Sequence, residues 1–192
     1  YSPFIAFPVK SERQSGFLMP EFGVSDQNGW QLKNAFFFAL GRSQDATYDL
    51  EYLSRRGLKH GFEYRYILNP LSQGELHSYY LSDREFSRDF NVKKRRFAVD
   101  YNHQLYMFPN LFNKAAIKIV SDDDYVKDFE RDISGREDAG LEAKLLQGWT
   151  LSNLSFNLEG IYYQNLMSQF QKDSNKDITH KLPELRIVSA PT

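Results

Sequence analysis

The sequence predicts an all-β fold, built as an antiparallel up-and-down meander of about ten strands. Three observations support this prediction. From about residue 46 onward, apolar side chains alternate with polar ones at the period of two that is typical of strands. Residues that favour turns separate the alternating runs. Aromatic residues make up 16% of the 192 residues, which suits the apolar face of a sheet.

The elements follow from the alternation. In the clearest run, Tyr48, Leu50 and Tyr52 alternate with Thr47, Asp49 and Glu51. Turn-forming residues such as Asn69-Pro70 lie between the alternating runs. We therefore place strands at residues 17–25, 30–40, 46–55, 62–68, 75–82, 95–105, 113–121, 139–151, 153–166 and 183–189.

One segment leaves two interpretations open. Between Asp122 and Ile133, three residues stand at helical spacing beside many charges, namely Tyr125, Val126 and Phe129. A short helix explains this pattern, and so does a loop that packs a few aromatic side chains.

The connections between the strands are unequal. Counted from the first, every second connection is short at the start of the chain and grows long further on, while the intervening ones stay short. Transmembrane β-barrels have short turns at one end and long loops at the other. The spacing therefore indicates a barrel segment, with aromatic and aliphatic residues outside and charged residues inside.

Composition excludes several classes of protein. The net charge of −1 gives no overall basic field, so no nucleic-acid partner is expected. The mean hydropathy of −0.57 and the short apolar stretch Ala35–Leu40 exclude a membrane helix. The chain has no cysteine, which removes disulfides and thiolate sites. It begins with Tyr1, which suggests a piece of a longer protein.

Nothing in the sequence favours an enzyme or a cofactor. The four histidines have no paired spacing, and no serine stands in a nucleophile elbow. The run Asp122-Asp123-Asp124 lacks the ligand spacing of a calcium loop, so we interpret it as solvated charge and predict no metal.

Two features have both a structural and a functional interpretation. The basic run Lys93-Lys94-Arg95-Arg96 and the pair Arg55-Arg56 fall on the same side of the meander. They are either solvated loop charge or contacts for the phosphates of a glycolipid. Pro20 lies inside the first predicted strand, where it lacks the N–H that a ladder needs. It either marks a strand edge or weakens pairing there.

Short segments along the whole chain carry a family resemblance. They are Tyr1-Ser2-Pro3-Phe4, Phe7-Pro8-Val9, Ser15-Gly16-Phe17-Leu18-Met19-Pro20, Asp45-Ala46-Thr47, Tyr52-Leu53-Ser54-Arg55-Arg56-Gly57, Phe62-Glu63-Tyr64-Arg65-Tyr66, Val120-Ser121-Asp122-Asp123-Asp124-Tyr125 with Asp128-Phe129, and Leu182-Pro183-Glu184-Leu185. In this order they resemble the start of the barrel of the LptD family, also called OstA or organic solvent tolerance protein, which assembles lipopolysaccharide in the outer membrane.

The resemblance implies a division of the chain and a location. Residues 1–15 would be a hinge from an upstream periplasmic jellyroll that is absent from this sequence. Residues 16–192 would be the early strands of a large barrel in the outer membrane of a Gram-negative bacterium. The implied partners are lipopolysaccharide, an LptE-like lipoprotein plug in the lumen, and an LptA-like periplasmic bridge that reaches the upstream domain.

The resemblance also implies a lateral gate, where the first and last strands of the barrel meet. Pro20 matches the family's proline in the first strand, and its missing hydrogen bond would weaken the seam. The family's second proline is replaced by Ala35, so either Pro20 weakens the seam alone or this member opens differently. Near the plug, the resemblance suggests Asp49, Glu51, Glu63 and Arg65 as neighbours.

Two other functions fit parts of the pattern. A soluble β-sandwich could bind carbohydrate through its many tyrosines. A barrel enzyme would need a Ser/His or Asp/His constellation at one rim, and the sequence offers no convincing set.

Overall fold

The computed structural model describes residues 13–84, 95–122, 124–129, 140–166 and 180–189. Within these ranges the chain forms an 11-stranded antiparallel sheet and a single helical turn, α1, at Tyr125–Asp128. The strands are β1 (Gly16–Phe17), β2 (Glu21–Ser25), β3 (Gly29–Ala39), β4 (Gln44–Leu53), β5 (Gly57–Asn69), β6 (Ser72–Ser82), β7 (Arg95–Phe108), β8 (Leu111–Val120), β9 (Gly140–Leu151), β10 (Leu154–Asn165) and β11 (Lys181–Ser189).

Each strand from β3 onward pairs with the one that follows it, and β1 and β2 both pair with β3. The predicted all-β meander is therefore confirmed. All described strands belong to one sheet, so the alternative of a two-sheet sandwich is wrong. The predicted strand at 17–25 is present as two pieces, β1 and β2, that are separated by residues 18–20.

Strand β5 begins at Gly57, five residues before the predicted start. Residues 57–61 lack a clean alternation because they include two glycines, which hide the pattern. Gly61 lies opposite Asp49, and a Cβ atom at position 61 would overlap the Asp49 carboxylate. The neighbouring strand therefore requires glycine at this position.

The register gives the sheet two unlike faces. Across β4, β5, β6 and β7, the apolar residues of one strand stand opposite those of the next, for example Tyr48 opposite Phe62 and Tyr80 opposite Phe97. We call this side the apolar face, and many of its large side chains are exposed. The other side, the charged face, carries Asp49, Glu51 and their cross-strand neighbours.

The ends of the sheet also differ. At one end the strands are joined by residues 26–28, 54–56, 83–94, 121–139 and 166–180, and at the other by residues 40–43, 70–71, 109–110 and 152–153. We call these the long-connection end and the short-turn end. The three longest connections, 83–94, 121–139 and 166–180, all lie at the long-connection end, as predicted, whereas 26–28 and 54–56 at that end are as short as the turns at the other.

A small hydrophobic core lies at the long-connection end. There α1 and the residue after it pack on strand residues that belong to the charged face, namely Leu53, Leu81, Ala98 and Val120. The buried side chains of this segment are Tyr125, Val126 and Phe129. Among the described residues of 122–133 the chain forms one helical turn and also buries its aromatic side chains, so each of the two interpretations holds in part.

Candidate functional site

The charged face is a lattice of ion pairs that run between neighbouring strands. Opposite charges on adjacent strands lie within salt-bridge distance at Lys33–Asp49 (3.9 Å), Lys59–Glu51 (3.1 Å), Arg65–Asp45 (2.9 Å) and Lys118–Asp100 (3.8 Å). Alternation places these residues on one side, and the pairing register then brings opposite charges together. The face is therefore strongly polar with little net charge of either sign.

Pro20 lies in the break between β1 and β2. Phe17 pairs with Phe36 and Glu21 pairs with Lys33, so four residue steps along the first strand match three along β3. One extra residue on one strand is a β-bulge, and a bulge leaves a position without a ladder bond. Proline has no N–H to lose, so it is suited to this position.

Ala35 lies directly opposite this break. Its carbonyl oxygen accepts a hydrogen bond from the N–H of Leu18 at 2.8 Å, and its other neighbour is Asp49 of β4. The structure thus brings the two predicted gate residues, Pro20 and Ala35, to the same point of the first strand pair. The pairing there is interrupted on the Pro20 side only, since β3 itself is continuous.

Five charged residues converge at the long-connection end, and we call them the rim cluster: Arg56, Asp83, Arg96, Asp122 and Asp128. Arg96 donates to Asp122 at 2.7 and 3.0 Å, to Asp128 at 2.6 Å and to Asp83 at 3.2 Å. Arg56 donates to Asp83 at 2.8 Å and to Asp128 at 3.0 Å. The side chains of Arg96 and Asp83 are fully buried. Two guanidinium groups therefore pair with three carboxylates, of which Asp83 is fully buried and Asp122 and Asp128 are 15% and 17% exposed.

Aromatic rings of the α1 segment lie against the cations of the rim cluster. The guanidinium of Arg96 lies 5.5 Å from the ring centre of Tyr125 and 5.4 Å from that of Phe129. Arg56 lies 5.3 Å from Phe129, and the Lys59 amine lies 4.9 Å from the same ring. These distances allow cation–π attraction, which is stronger where the cation is shielded from solvent.

Local structure brings the members of the rim cluster together. The Arg56 carbonyl oxygen accepts from the N–H of Arg84, which fixes the chain next to Asp83. Asp122 accepts from the N–H of Tyr125 through its carbonyl oxygen at 3.2 Å, and this bond starts the turn of α1. That turn points Asp128 back to the arginines of β7 and of the β4–β5 turn.

The predicted phosphate-binding residues have separate environments. Arg55 is exposed and donates to the carbonyl oxygen of Asp26, and Arg95 is exposed at the start of β7. Arg56 and Arg96 are buried in the rim cluster with carboxylate partners. Lys93 and Lys94 lie outside the described residues. The four described residues, Arg55, Arg56, Arg95 and Arg96, do not form one exposed basic patch, and phosphate binding stays a prediction.

Sequence reasoning missed the acidic half of the rim cluster. The interpretation of Asp122 as solvated charge is wrong, because its carboxylate binds the buried guanidinium of Arg96. Asp124 agrees with the interpretation as solvated charge, since its side chain is exposed and pairs with Lys127 on the surface of the turn. The available signal was the family resemblance, because Arg56, Asp122 and Asp128 all belong to the matching segments.

A cavity of about 530 Å³ lies on the charged face beside α1. Its lining includes Glu21 to Ser25 of β2, Lys33 and Asp49 of the neighbouring strands, and Asp128 and Phe129 of the α1 segment. The cavity thus separates the interrupted first strand from the rim cluster.

Other chemistry is sparse in the described part of the chain. No three side chains of the kinds that bind metals converge among these residues. His60 and His103 each hydrogen-bond to a tyrosine hydroxyl, of Tyr48 and Tyr66 respectively. Over the same residues, no helix is long and apolar enough to cross a membrane.

A continuous antiparallel meander with an apolar face, a charged face and long connections at one end only has the architecture of a transmembrane β-barrel segment. Comparison with known proteins agrees with this class. A family model described as "LptD protein" matches residues 1–190. The chain therefore belongs to the LptD family.

Individual relatives give the same result. The chain is 35% identical over 143 residues to an LPS-assembly protein LptD of Pseudomonas putida (strain GB-1). The aligned region covers 73% of this chain and 15% of that protein. It is 31% identical over 183 residues to the LPS-assembly protein LptD of Aromatoleum aromaticum. This aligned region covers 95% of this chain and 22% of the relative. The chain thus spans 15–22% of the length of these two relatives.

Proposed function

We propose that the protein containing this chain assembles lipopolysaccharide in the outer membrane of a Gram-negative bacterium. Residues 16–192 provide early strands of its barrel, and residues 1–15 form the hinge from an upstream periplasmic jellyroll. The observation that carries the proposal is the two-faced sheet in a chain of the LptD family. The relatives named above are called LPS-assembly proteins, and the proposal extends that role to this protein.

The dimensions of the apolar face support a membrane position. On β5 the apolar face runs from Leu58 to Leu68, which is ten residue steps (68 − 58). A strand rises about 3.3 Å per residue and tilts by about 40°, so this run covers about 25 Å along the barrel axis. That is the height of the apolar band of a transmembrane barrel. Both ends of this run, Leu58 and Leu68, are exposed, as expected of side chains that face lipid.

The charged face supports a wet lumen. Backbone groups in a bilayer must be paired within the sheet, and charged side chains must face away from the lipid. Glu51, Glu63 and Arg65 all meet this condition on the charged face. We propose that this lumen holds an LptE-like lipoprotein plug and receives lipopolysaccharide from an LptA-like periplasmic bridge through the upstream domain.

For the gate, we propose that the seam opens at the first strand. The bulge at Pro20 interrupts the ladder between the first strand and β3. We propose that the same irregularity, together with the missing N–H of Pro20, weakens pairing at the other edge of this strand, which forms the seam. The saccharide would pass through the lumen while the acyl chains leave through the opened seam. Ala35 keeps the N–H that a second proline would lack and lies within the continuous strand β3, and we propose that Pro20 alone weakens the seam in this protein.

For lipopolysaccharide phosphate, we propose contacts at the exposed residues Arg55 and Arg95 and at Lys93 and Lys94. Arg56 and Arg96 are not part of this proposal, because their guanidinium groups are buried against carboxylates. This leaves Arg55, Lys93, Lys94 and Arg95 as the proposed phosphate contacts.

The experiment uses the full-length parent protein in a Gram-negative host that depends on it. Pro20→Ala supplies an N–H in the bulge, and we expect a tighter seam with less lipopolysaccharide at the cell surface and greater sensitivity to bulky antibiotics. Pro70→Ala is the matched control, because Pro70 lies in the β5–β6 turn at the short-turn end. Normal surface lipopolysaccharide in an assembled Pro20→Ala protein would refute the gate. Recovery of the parent outside the outer-membrane fraction would refute the whole proposal.

A further inference from the structure

We propose that three arginines at the short-turn end of the sheet, Arg13, Arg42 and Arg65, bind a phosphate group carried by the saccharide of lipopolysaccharide. We call these arginines and Asp45 the junction site, because Arg13 belongs to the proposed hinge and the other residues belong to the sheet. The inference rests on the proposed function, in which the short-turn end faces the periplasm. It adds an entry site for the substrate, at the end opposite the phosphate contacts proposed above.

Three separate segments bring the junction site together around a cavity of about 530 Å³. Asp45 of β4 and Arg65 of β5 are direct cross-strand partners on the charged face, and Nε of Arg65 donates to Asp45 at 2.9 Å. Arg42 lies in the β3–β4 turn. The N–H of Ile67 donates to the Ser43 carbonyl oxygen at 2.8 Å, which continues the strand pairing into this turn. The pairing thus keeps Arg42 beside the end of β5.

Arg13 reaches the cavity from the segment before β1. Its guanidinium donates to Oδ2 of Asp45 and lies 5.7 Å from the ring centre of Phe37. Two residues further on, the hydroxyl oxygen of Ser15 accepts a hydrogen bond from the N–H of Ala39 at 2.9 Å. These contacts fasten the last part of the proposed hinge to β3 and β4. A ligand of Arg13 therefore contacts the hinge and the sheet at once.

The residues around the cavity carry three positive charges and one negative charge. Arg13 and Arg65 share the single lining carboxylate, Asp45, which is 4% exposed. Glu63 and Glu75 neighbour Arg65 on the sheet but do not line the cavity. Since one carboxylate cannot balance three guanidinium groups, the cavity attracts an anion.

The arginines have donors to spare for such an anion, because a guanidinium group has more N–H donors than one shared carboxylate uses. Arg13 and Arg65 are each 48% exposed and can bind a ligand without giving up Asp45. Arg42 is exposed in its turn, and among the described residues its guanidinium has no hydrogen-bond or ion-pair partner. A phosphate group suits this arrangement, because its oxygens accept forked hydrogen bonds from guanidinium groups.

The location of the junction site favours a phosphate on the saccharide over a phospholipid headgroup. The site lies on the charged face, which lines the lumen in the proposed function, whereas phospholipid lies against the apolar face. The saccharide is the part of lipopolysaccharide that passes through the lumen in that proposal. The junction site is then the first contact of the saccharide with the barrel as it leaves the upstream domain.

The test measures phosphate-dependent labelling beside the junction site in the full-length parent, purified from outer membranes in detergent. A photoreactive benzoylphenylalanine is placed at Ser43, which is exposed and lines the cavity. The probes are the tagged, deacylated saccharide of lipopolysaccharide and the same saccharide after dephosphorylation, with short-chain phosphatidylglycerol as a competitor. The test variant is Arg42→Gln, and Arg42→Lys conserves the charge. Arg186→Gln is the matched control, because Arg186 is also an exposed arginine of the sheet but lies on β11 and pairs with Glu184.

We expect the phosphorylated saccharide to label the parent and the Arg186→Gln control at equal concentrations. Arg42→Gln should need a roughly fivefold higher concentration, since a charge-assisted contact is lost, and Arg42→Lys should recover part of the loss. Equal labelling of an Arg42→Gln protein that keeps its heat-shifted folded band would overturn the junction site, and so would equal labelling by the dephosphorylated saccharide. Loss of that band in Arg42→Gln would also overturn it, because Arg42 would then be needed for folding. Competition by phosphatidylglycerol at the concentration of the saccharide would overturn the saccharide as the source of the phosphate.

The proposed function and the junction site can fail separately. Recovery of the parent outside the outer-membrane fraction would refute lipopolysaccharide assembly and this inference with it. Recovery in the outer membrane, with labelling that does not depend on Arg42, would refute the junction site alone.

Discussion

Replacing Arg96 by methionine tests how strongly the rim cluster stabilises the long-connection end. Methionine keeps much of the apolar stem of arginine but removes the guanidinium, so the change isolates the ion pairs from the packing. The guanidinium makes four hydrogen bonds, to Asp83, Asp122 and Asp128, and the side chain is fully buried.

The magnitude follows from what remains after the substitution. Breaking a buried ion pair by removing one partner costs about 3–5 kcal/mol. Asp122 and Asp128 are 15% and 17% exposed and can recover some hydration, and Asp83 keeps Arg56. We therefore expect a loss near the lower end, about 3 kcal/mol.

The assay is the loss of the folded, heat-shifted gel band of the full-length protein with increasing urea. Arg186→Met is the matched control, since Arg186 pairs with Glu184 on the same strand and is 66% exposed. Exposed pairs contribute about 0–1 kcal/mol, so the control should unfold at the wild-type urea concentration. Arg96→Lys should recover only part of the loss, because one ammonium group cannot reproduce the forked contacts. An Arg96→Met midpoint equal to that of the control would refute this account of the rim cluster.

Two further predictions concern the sheet. Gly61→Ala should destabilise the protein by about 1–3 kcal/mol, because the added Cβ would overlap the Asp49 carboxylate. Gly160→Ala is the control, since an added Cβ meets open space there. Urea unfolding compares the stability of the two variants. Phe62→Lys puts a charge on the apolar face and should cost about 2–4 kcal/mol of barrel stability, whereas Thr47→Lys on the charged face should be tolerated. Equal yields of folded protein from the two lysine variants would contradict the assignment of the faces.

The sequence by itself determined the strands and their two faces. Alternation at period two depends only on the local geometry of an extended chain, so it assigned Tyr48 and Phe62 to one side and Asp49 and Glu63 to the other without any knowledge of partners. Turn residues and the unequal connections likewise gave the up-and-down order, because neighbouring strands in such a meander pair with each other. Pro20 was visible as a position without an N–H for the same local reason, but the sequence predicted one strand over residues 17–25 and left open whether Pro20 marks an edge or weakens pairing.

Only the tertiary structure decided which charged side chains are exposed and which are buried. Arg55 and Arg56 are neighbours in sequence and look alike there, yet one is exposed and the other lies inside the rim cluster. The difference arises from residues far along the chain, because Asp128 reaches Arg56 only when α1 packs on the strand ends. Spacing within a sequence carries no information about such contacts. Burial and ion pairing at this end are therefore properties of the assembled sheet.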